Sequence, residues 1–347
     1  MRHKAFGKVL PRNHRCGCEE RHVGPGEEDV LQRILGPEDA PGVSGGARRE
    51  AADRVCLLRR PPRGRSGRRL TIVYCCIAPH GAEVIPRLAN RRELKRFEPT
   101  RVAIRRLAEG VRIARPDTIV VATPHNLRLL GKIGVVIAEN SFGRLRESRR
   151  EVSLKARCDV KFARKLLRRA SSAGLPVVGA NYGTAEGPSS EMPMDWGTLV
   201  PLWFFLKENR LKSEIVIVTP SREIPLARNF EFGKVLGDLA ERAAKRIVFV
   251  ASADQAHAHR KDGPYGFSPS ASVYDRLVVE AVKRNRLKSI LAFSPRLARE
   301  ARPDSLWQMA MLAGVLERVE MKSRFYSYQL PTYYGMLCAG FERSSES

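Results

Sequence analysis

The sequence predicts an α/β fold, a single domain with a mainly parallel central sheet covered by helices on both faces. Three observations carry this reading. Short apolar runs rich in β-branched residues alternate along the chain with amphipathic stretches of helical length. The runs are apolar at nearly every position, not at every second one, as in strands buried on both faces. With 347 residues, 43% of them hydrophobic, the chain can bury a sizeable core.

The elements follow in order. Residues 70–78 form a continuous apolar run and the first strand. Thr100 is placed to cap a helix whose apolar face is Ile104, Leu107, Ala108 and Val111, with Pro116 beyond its end. The next buried strand is 118–123, followed by a helix over 161–172 that Gly174 stops. Strands are expected at 176–181 and 215–219, an amphipathic helix at 233–245 and a strand at 246–252. Helices at 272–284 and 305–318 and a closing strand at 324–330 complete the pattern. Strands alternating with helices make most connections right-handed crossovers between parallel strands.

Residues 1–69 differ from the rest. They are rich in Gly, Pro and Arg, with the run Arg59-Arg60-Pro61-Pro62-Arg63-Gly64-Arg65, and they lack an apolar face. They are expected to be a disordered basic extension or to lie upstream of the true start, leaving a domain over 70–342. Sixteen Lys or Arg against nine Asp or Glu give this segment +7 of the total +25, so +18 belongs to the remainder. Charge spread so evenly, with few aromatics and no nucleic-acid motif, argues for a basic composition and against a nucleic-acid surface. No apolar stretch is long enough to cross a membrane and none follows the basic N-terminus as a leader would, so a cytoplasmic protein is expected. Cys16 and Cys18, with His14 and His22 nearby, fit no standard zinc spacing, and Cys75 and Cys76 sit in a strand pattern as packing residues.

Histidine is scarce, and its placement carries the functional signal. Of seven histidines, His80, His125 and His257 each stand just past the end of an expected buried strand. Ligands of open α/β sheets bind outside the carboxyl ends of the strands, so these three imidazoles can converge there. Two neutral imidazoles suit Fe, Zn, Cu or Ni, and two with one carboxylate make the facial triad of non-haem Fe(II) oxygenases. A third imidazole that is not a ligand can act as a general acid or base near neutral pH.

The residues around the histidines read Ala78-Pro79-His80-Gly81-Ala82-Glu83, then Thr123-Pro124-His125-Asn126, then Met194-Asp195-Trp196-Gly197. Ser252-Ala253-Asp254-Gln255-Ala256-His257 and Asp262-Gly263-Pro264-Tyr265-Gly266 follow. These five motifs in order resemble the class III extradiol ring-cleavage dioxygenases, in particular the group of the protocatechuate 4,5-dioxygenase β-subunit. More distantly they resemble the Memo proteins. The resemblance spans about 70–341 and implies a cytoplasmic oxidoreductase of aromatic catabolism. It implies Fe(2+) held by His80 and His125, His257 as catalytic acid/base, and Asp254 as a carboxylate orienting an imidazole. Asp195 and Trp196 match the segment that walls the active site. Its partners would be a catechol-like aromatic substrate and O2, with homo-oligomerisation left open. His259 has no counterpart and is expected to be solvated.

The chain departs from the pattern at one ligand. Ring-cleaving relatives carry a Glu just before an aromatic-Asp pair, whereas Val273 precedes Tyr274-Asp275 here. The C-terminal segment 328–334 offers neither His nor Cys in its place. Glu83 is a nearer substitute than Glu280, although a supporting role suits Glu83 better. The centre has two protein ligands plus water or is partly degenerate on this reading. A Memo-like metal- or partner-binding protein without ring cleavage is the alternative.

Overall fold

A computed structural model describes residues 72–343; the 1–69 extension read from the sequence lies outside the described residues. The chain runs β1 (Ile72–Ala78), α1 (Arg91–Arg96), α2 (Glu98–Ala114), β2 (Thr118–Ala122), β3 (Ile133–Val136), β4 (Asn140–Glu147) and β5 (Arg150–Arg157). Next come α3 (Val160–Ser172), β6 (Val177–Ala180), β7 (Glu191–Pro193), α4 (Trp196–Leu202), β8 (Glu214–Thr219) and α5 (Leu226–Ala240). The chain ends with β9 (Ile247–Ser252), α6 (Pro269–Lys283), α7 (Pro295–Ala301), α8 (Leu306–Leu316), β10 (Lys322–Gln329) and β11 (Met336–Glu342).

The large sheet has the order β10-β11-β1-β9-β2-β8-β3-β6. Its centre, β1-β9-β2-β8, is parallel throughout, and β3 pairs parallel with β6. Antiparallel pairings join β10 to β11, β11 to β1 and β3 to β8. The fold class expected from the sequence is therefore present. Alternate strand residues Tyr74, Cys76, Ile119, Val121, Val248 and Val250 join one core layer with α2 and α4. Their neighbours Cys75, Ile77, Val120 and Phe249 are equally buried and face the opposite layer, where α8 packs on β9 and α5 packs on α8. A strand clothed on both sides has no solvent face to mark with polar residues, which is why these strands read as unbroken apolar runs.

Several local expectations are corrected. Thr100 does not cap α2; the helix begins at Glu98 with Pro99 in its first turn, where a missing N–H costs nothing, and Thr100 is buried. The helix expected at 233–245 lies earlier, at Leu226–Ala240, because it starts directly after Pro225. The β4–β5 hairpin, which forms a second sheet with β7, has no counterpart in the sequence reading. One of its faces is solvated, so charged residues such as Arg144, Arg146 and Lys155 interrupt every apolar run. Among the described residues no helix is long and apolar enough to cross a membrane.

Two features set the frame of the carboxyl edge of the sheet. Arg101, fully buried in α2, donates to the carbonyls of Val84 (3.0 Å) and Leu94 (2.9 Å), pinning the turn that follows His80. Glycines let α5 and α8 touch backbone to backbone. A Cβ at Gly233 would lie 1.9 Å from the Met311 carbonyl oxygen, and one at Gly314 would lie 2.0 Å from that of Phe230.

Candidate metal centre

β1, β9 and β2 are adjacent parallel strands, so their carboxyl ends meet at one edge. His80 follows β1, His257 follows β9 and His125 follows β2. A fourth group arrives from elsewhere. Asp304, in the turn between α7 and α8, places its Oδ2 3.2 Å from His80 Nε2 and 3.1 Å from His125 Nε2. The two Nε2 atoms are themselves 3.1 Å apart.

These distances test whether the donors suit a metal ion. Donors about 2.1–2.2 Å from a six-coordinate ion and at right angles to one another stand about 3.0–3.1 Å apart. The His80–His125–Asp304 triangle has that size, and among the described residues it is the group of three with metal-ligand character. Two imidazoles and a carboxylate on one triangular face are the donor set of non-haem Fe(II) centres.

Each donor is fixed from behind. Ser252 Oγ donates its single proton to the Gly197 carbonyl, so it must accept at 3.0 Å from His80 Nδ1. That bond puts the His80 proton on Nδ1 and leaves the Nε2 lone pair facing the centre. Asp254 Oδ1 accepts from the His80 backbone N–H (3.1 Å), and the Asp254 N–H donates to Asp304 Oδ1 (3.1 Å). Asp304 therefore has one oxygen tied to the β9 turn and the other free for a ligand. His125 stacks on Trp196, with centroids 4.2 Å apart. Asp195 accepts from Thr123 Oγ1 and from Thr198 Oγ1 (2.6 Å), fastening the His125 turn to the start of α4.

The charges oppose one another strongly. Burial alone would pull His80 down, but the carboxylates of Asp254 and Asp304 outweigh it and hold His80 up at about 9. Burial also opposes the Asp304 anion, yet His80 and His125 keep its carboxyl well below the usual carboxylate range. Asp254 is pushed up, first by burial and then by the neighbouring Asp304 charge. A divalent cation at the triangle would supply the positive charge that these carboxylates favour.

His257 lies beside the triangle, its Nε2 3.9 Å from Asp304 Oδ2. It stacks on Tyr334 (5.2 Å) and meets the edge of Tyr265 (5.3 Å). Burial pulls its imidazole below the ordinary value, against the pull of Asp304. All four groups line a cleft of about 970 Å³.

Over residues 74–339 the chain matches the family described as the catalytic LigB subunit of aromatic ring-opening dioxygenase. The chain belongs to this family. Protein CA_C1420 of Clostridium acetobutylicum is 26% identical over 256 residues, covering 73% of this chain and 54% of that protein. The chain thus spans about half the length of that curated relative. Uncharacterized protein JW3007 from Escherichia coli K12, known from its crystal structure, shares the fold at a TM-score of 0.50 and 17% identity. That match covers 77% of this chain and 99% of the other.

Within the LigB fold the gap at Val273 looks different from its appearance in the sequence. A carboxylate does stand with the two histidines, but it is Asp304, not Glu83 or Glu280. Glu83 accepts from Tyr334 Oη (3.3 Å), and Glu280 faces Lys283 and Arg284 on its own helix. The turn carrying Asp304 rests on the helix that carries Val273, because Tyr274 Oη and Ser305 Oγ are 2.9 Å apart. The C-terminal segment supplies Tyr333 and Tyr334 as packing for His257.

His259 is not solvated as the sequence suggests. Its side chain is 5% exposed, and Nε2 lies 2.8 Å from Asp275 Oδ2. Asp275 also accepts from the Ala256 N–H (2.8 Å) and from Tyr328 Oη, which holds the His257 turn in place. His259→Ala should therefore cost about 1.5–3 kcal/mol of stability, the usual range for a hydrogen bond to a charged group. Urea denaturation of the full chain would measure it; an unchanged midpoint would show that Asp275 does not need this partner.

Proposed function

We propose that the protein is a non-haem Fe(II)-dependent extradiol-type dioxygenase that opens a catechol-like ring with O2. The observation that carries this reading is the His80–His125–Asp304 triangle with His257 beside it, in a cleft large enough for an aromatic ring. His80, His125 and Asp304 would hold the ion, a donor set that in non-haem Fe(II) centres leaves positions open for substrate and oxygen. A bound ferrous ion would raise the acidity of the ring hydroxyls.

The chain's own groups supply the remainder. His257 takes a hydroxyl proton at Nε2, the atom turned toward the centre, and returns it as the ring opens. Burial favours its neutral form, which is the form able to accept. Tyr334 and Tyr265 hold its ring in place, and Trp196 with Asp195 walls the His125 side. Asp254 orients: it fixes the His80 backbone and ties down Oδ1 of Asp304, leaving Oδ2 to face the centre.

The test is to load the full chain with Fe(II) under nitrogen, then follow oxygen uptake with a panel of catechols. Uptake matched one-to-one by catechol loss supports the reading. Iron bound with no uptake from any catechol would overturn it and leave the Memo-like binding role.

A further inference from the structure

The carboxyl edge that carries the three histidines continues to a fourth parallel strand. β8 lies beside β2, and the turn after it presents Arg222 to the same cleft. The turn is rigid: buried Asn229 accepts from the Ser221 N–H (3.2 Å) and donates to the Ser221 carbonyl (2.8 Å). The Arg222 guanidinium lies 4.7 Å from the centroid of Trp307, three residues past Asp304. The adjacent acid, Glu223, is turned away and paired with Arg128 at 2.7 Å. Among the described residues no carboxylate lies within ion-pair distance of Arg222, although it is half-buried. A partly desolvated guanidinium held on an indole, with Asp304 and Glu223 acting on it only from beyond ion-pair contact, in the cleft of a proposed ring-cleaving centre is poised for an anion from outside.

We propose that Arg222 is a specificity-determining residue that binds a carboxylate substituent of the ring substrate, so that acidic catechols are selected over neutral ones. This rests on the ring-cleavage reading for the nature of the ring, but not for the anion. The planar fork of a guanidinium matches the two oxygens of a carboxylate. The cleft volume of about 970 Å³ lies near the upper end of small-molecule pockets, roughly 300–1,000 Å³, and leaves room for a side chain on the ring.

The experiment uses the Fe(II)-loaded full chain under nitrogen, where no turnover occurs, and reads tryptophan fluorescence. The probes are 3,4-dihydroxybenzoate and its acetate and propanoate homologues, each against its own amide. For the homologue of best-fitting length, the acid should bind about tenfold or more tighter than the amide. Arg222→Gln should abolish that preference, and Arg222→Lys, which keeps charge without the fork, should retain part of it. Acids bound no tighter than amides by the wild type, a preference that survives in Arg222→Gln, or no binding by any probe would each overturn the proposal. Oxygen is then admitted. An Arg222-dependent acid preference without oxygen uptake would leave the subsite standing and remove the ring-cleavage reading.

Discussion

Asp304→Ala should weaken metal binding by about a hundredfold or more, while the chain stays folded. Loss of a group that merely orients a ligand costs about ten- to a hundredfold in affinity, so loss of a ligand itself should cost at least as much. A hundredfold corresponds to about 2.7 kcal/mol. The Asp304 carboxylate is both a donor, through Oδ2, and a tie, through Oδ1 to the Asp254 N–H. Asp304→Asn separates these roles, because an amide oxygen can still accept from Asp254 but lacks the charge that balances a cation. Both variants should therefore lose metal, with Asn less destabilised than Ala. The measurements are iron content after anaerobic loading and gel filtration, and a thermal melt of the unloaded chain. A folded Asp304→Ala that binds iron as the wild type does would show that the triangle is not the centre.

That prediction concerns the residue least visible in the sequence. The strand-end positions of His80, His125 and His257 are legible because two signals coincide. Histidine is rare in this chain, and strands apolar at every position mark their own ends. Adjacency of β1, β9 and β2 then brings the three together. Asp304 has no comparable mark. Pro303-Asp304-Ser305 before a helix reads as an ordinary start, and α8 does begin at Leu306. What makes Asp304 different is a long-range contact, its Oδ1 meeting the N–H of Asp254 fifty residues away. His259 is hidden for a similar reason, since its partner Asp275 lies on α6 and nothing in the residues beside it marks the contact. Arg222 is hidden among many arginines, and its half-buried place in the cleft against Trp307, a property of the folded chain, sets it apart.

The same long-range contacts explain how a carboxylate can stand with the two histidines without the expected Glu. α6 still supports the carboxylate, through Tyr274 and Ser305, while a neighbouring turn supplies it. The requirement is on where an oxygen sits, and either the helix itself, at position 273, or the turn resting on it could place one there.

His257→Ala should keep its iron and lose turnover of any accepted catechol by about a hundred- to ten-thousandfold, the usual contribution of a general acid or base. In barrier terms this is roughly 2.7–5.5 kcal/mol. Metal should persist because His257 stands outside the triangle, with Nε2 3.9 Å from Asp304 Oδ2 against 3.1 Å for His125 and 3.2 Å for His80. Truncation to Ala also opens space beside Tyr334 and Tyr265, so a loss of activity alone would not separate chemistry from packing. His257→Gln fills most of that space with a group that cannot carry a proton at neutral pH. If the role is proton transfer, Gln should be as inactive as Ala in kcat, with catechol binding under nitrogen within about threefold of the wild type. If the role is packing, Gln should recover most of the activity that Ala loses. His259→Ala, two residues away, is unsuitable as a control because it unties Asp275 beneath the same turn. Glu280→Gln, on the outer part of α6, should behave as the wild type does. Turnover by His257→Gln within about threefold of the wild type would move the acid/base role to another group, with the Glu83–Tyr334 pair the nearest to examine.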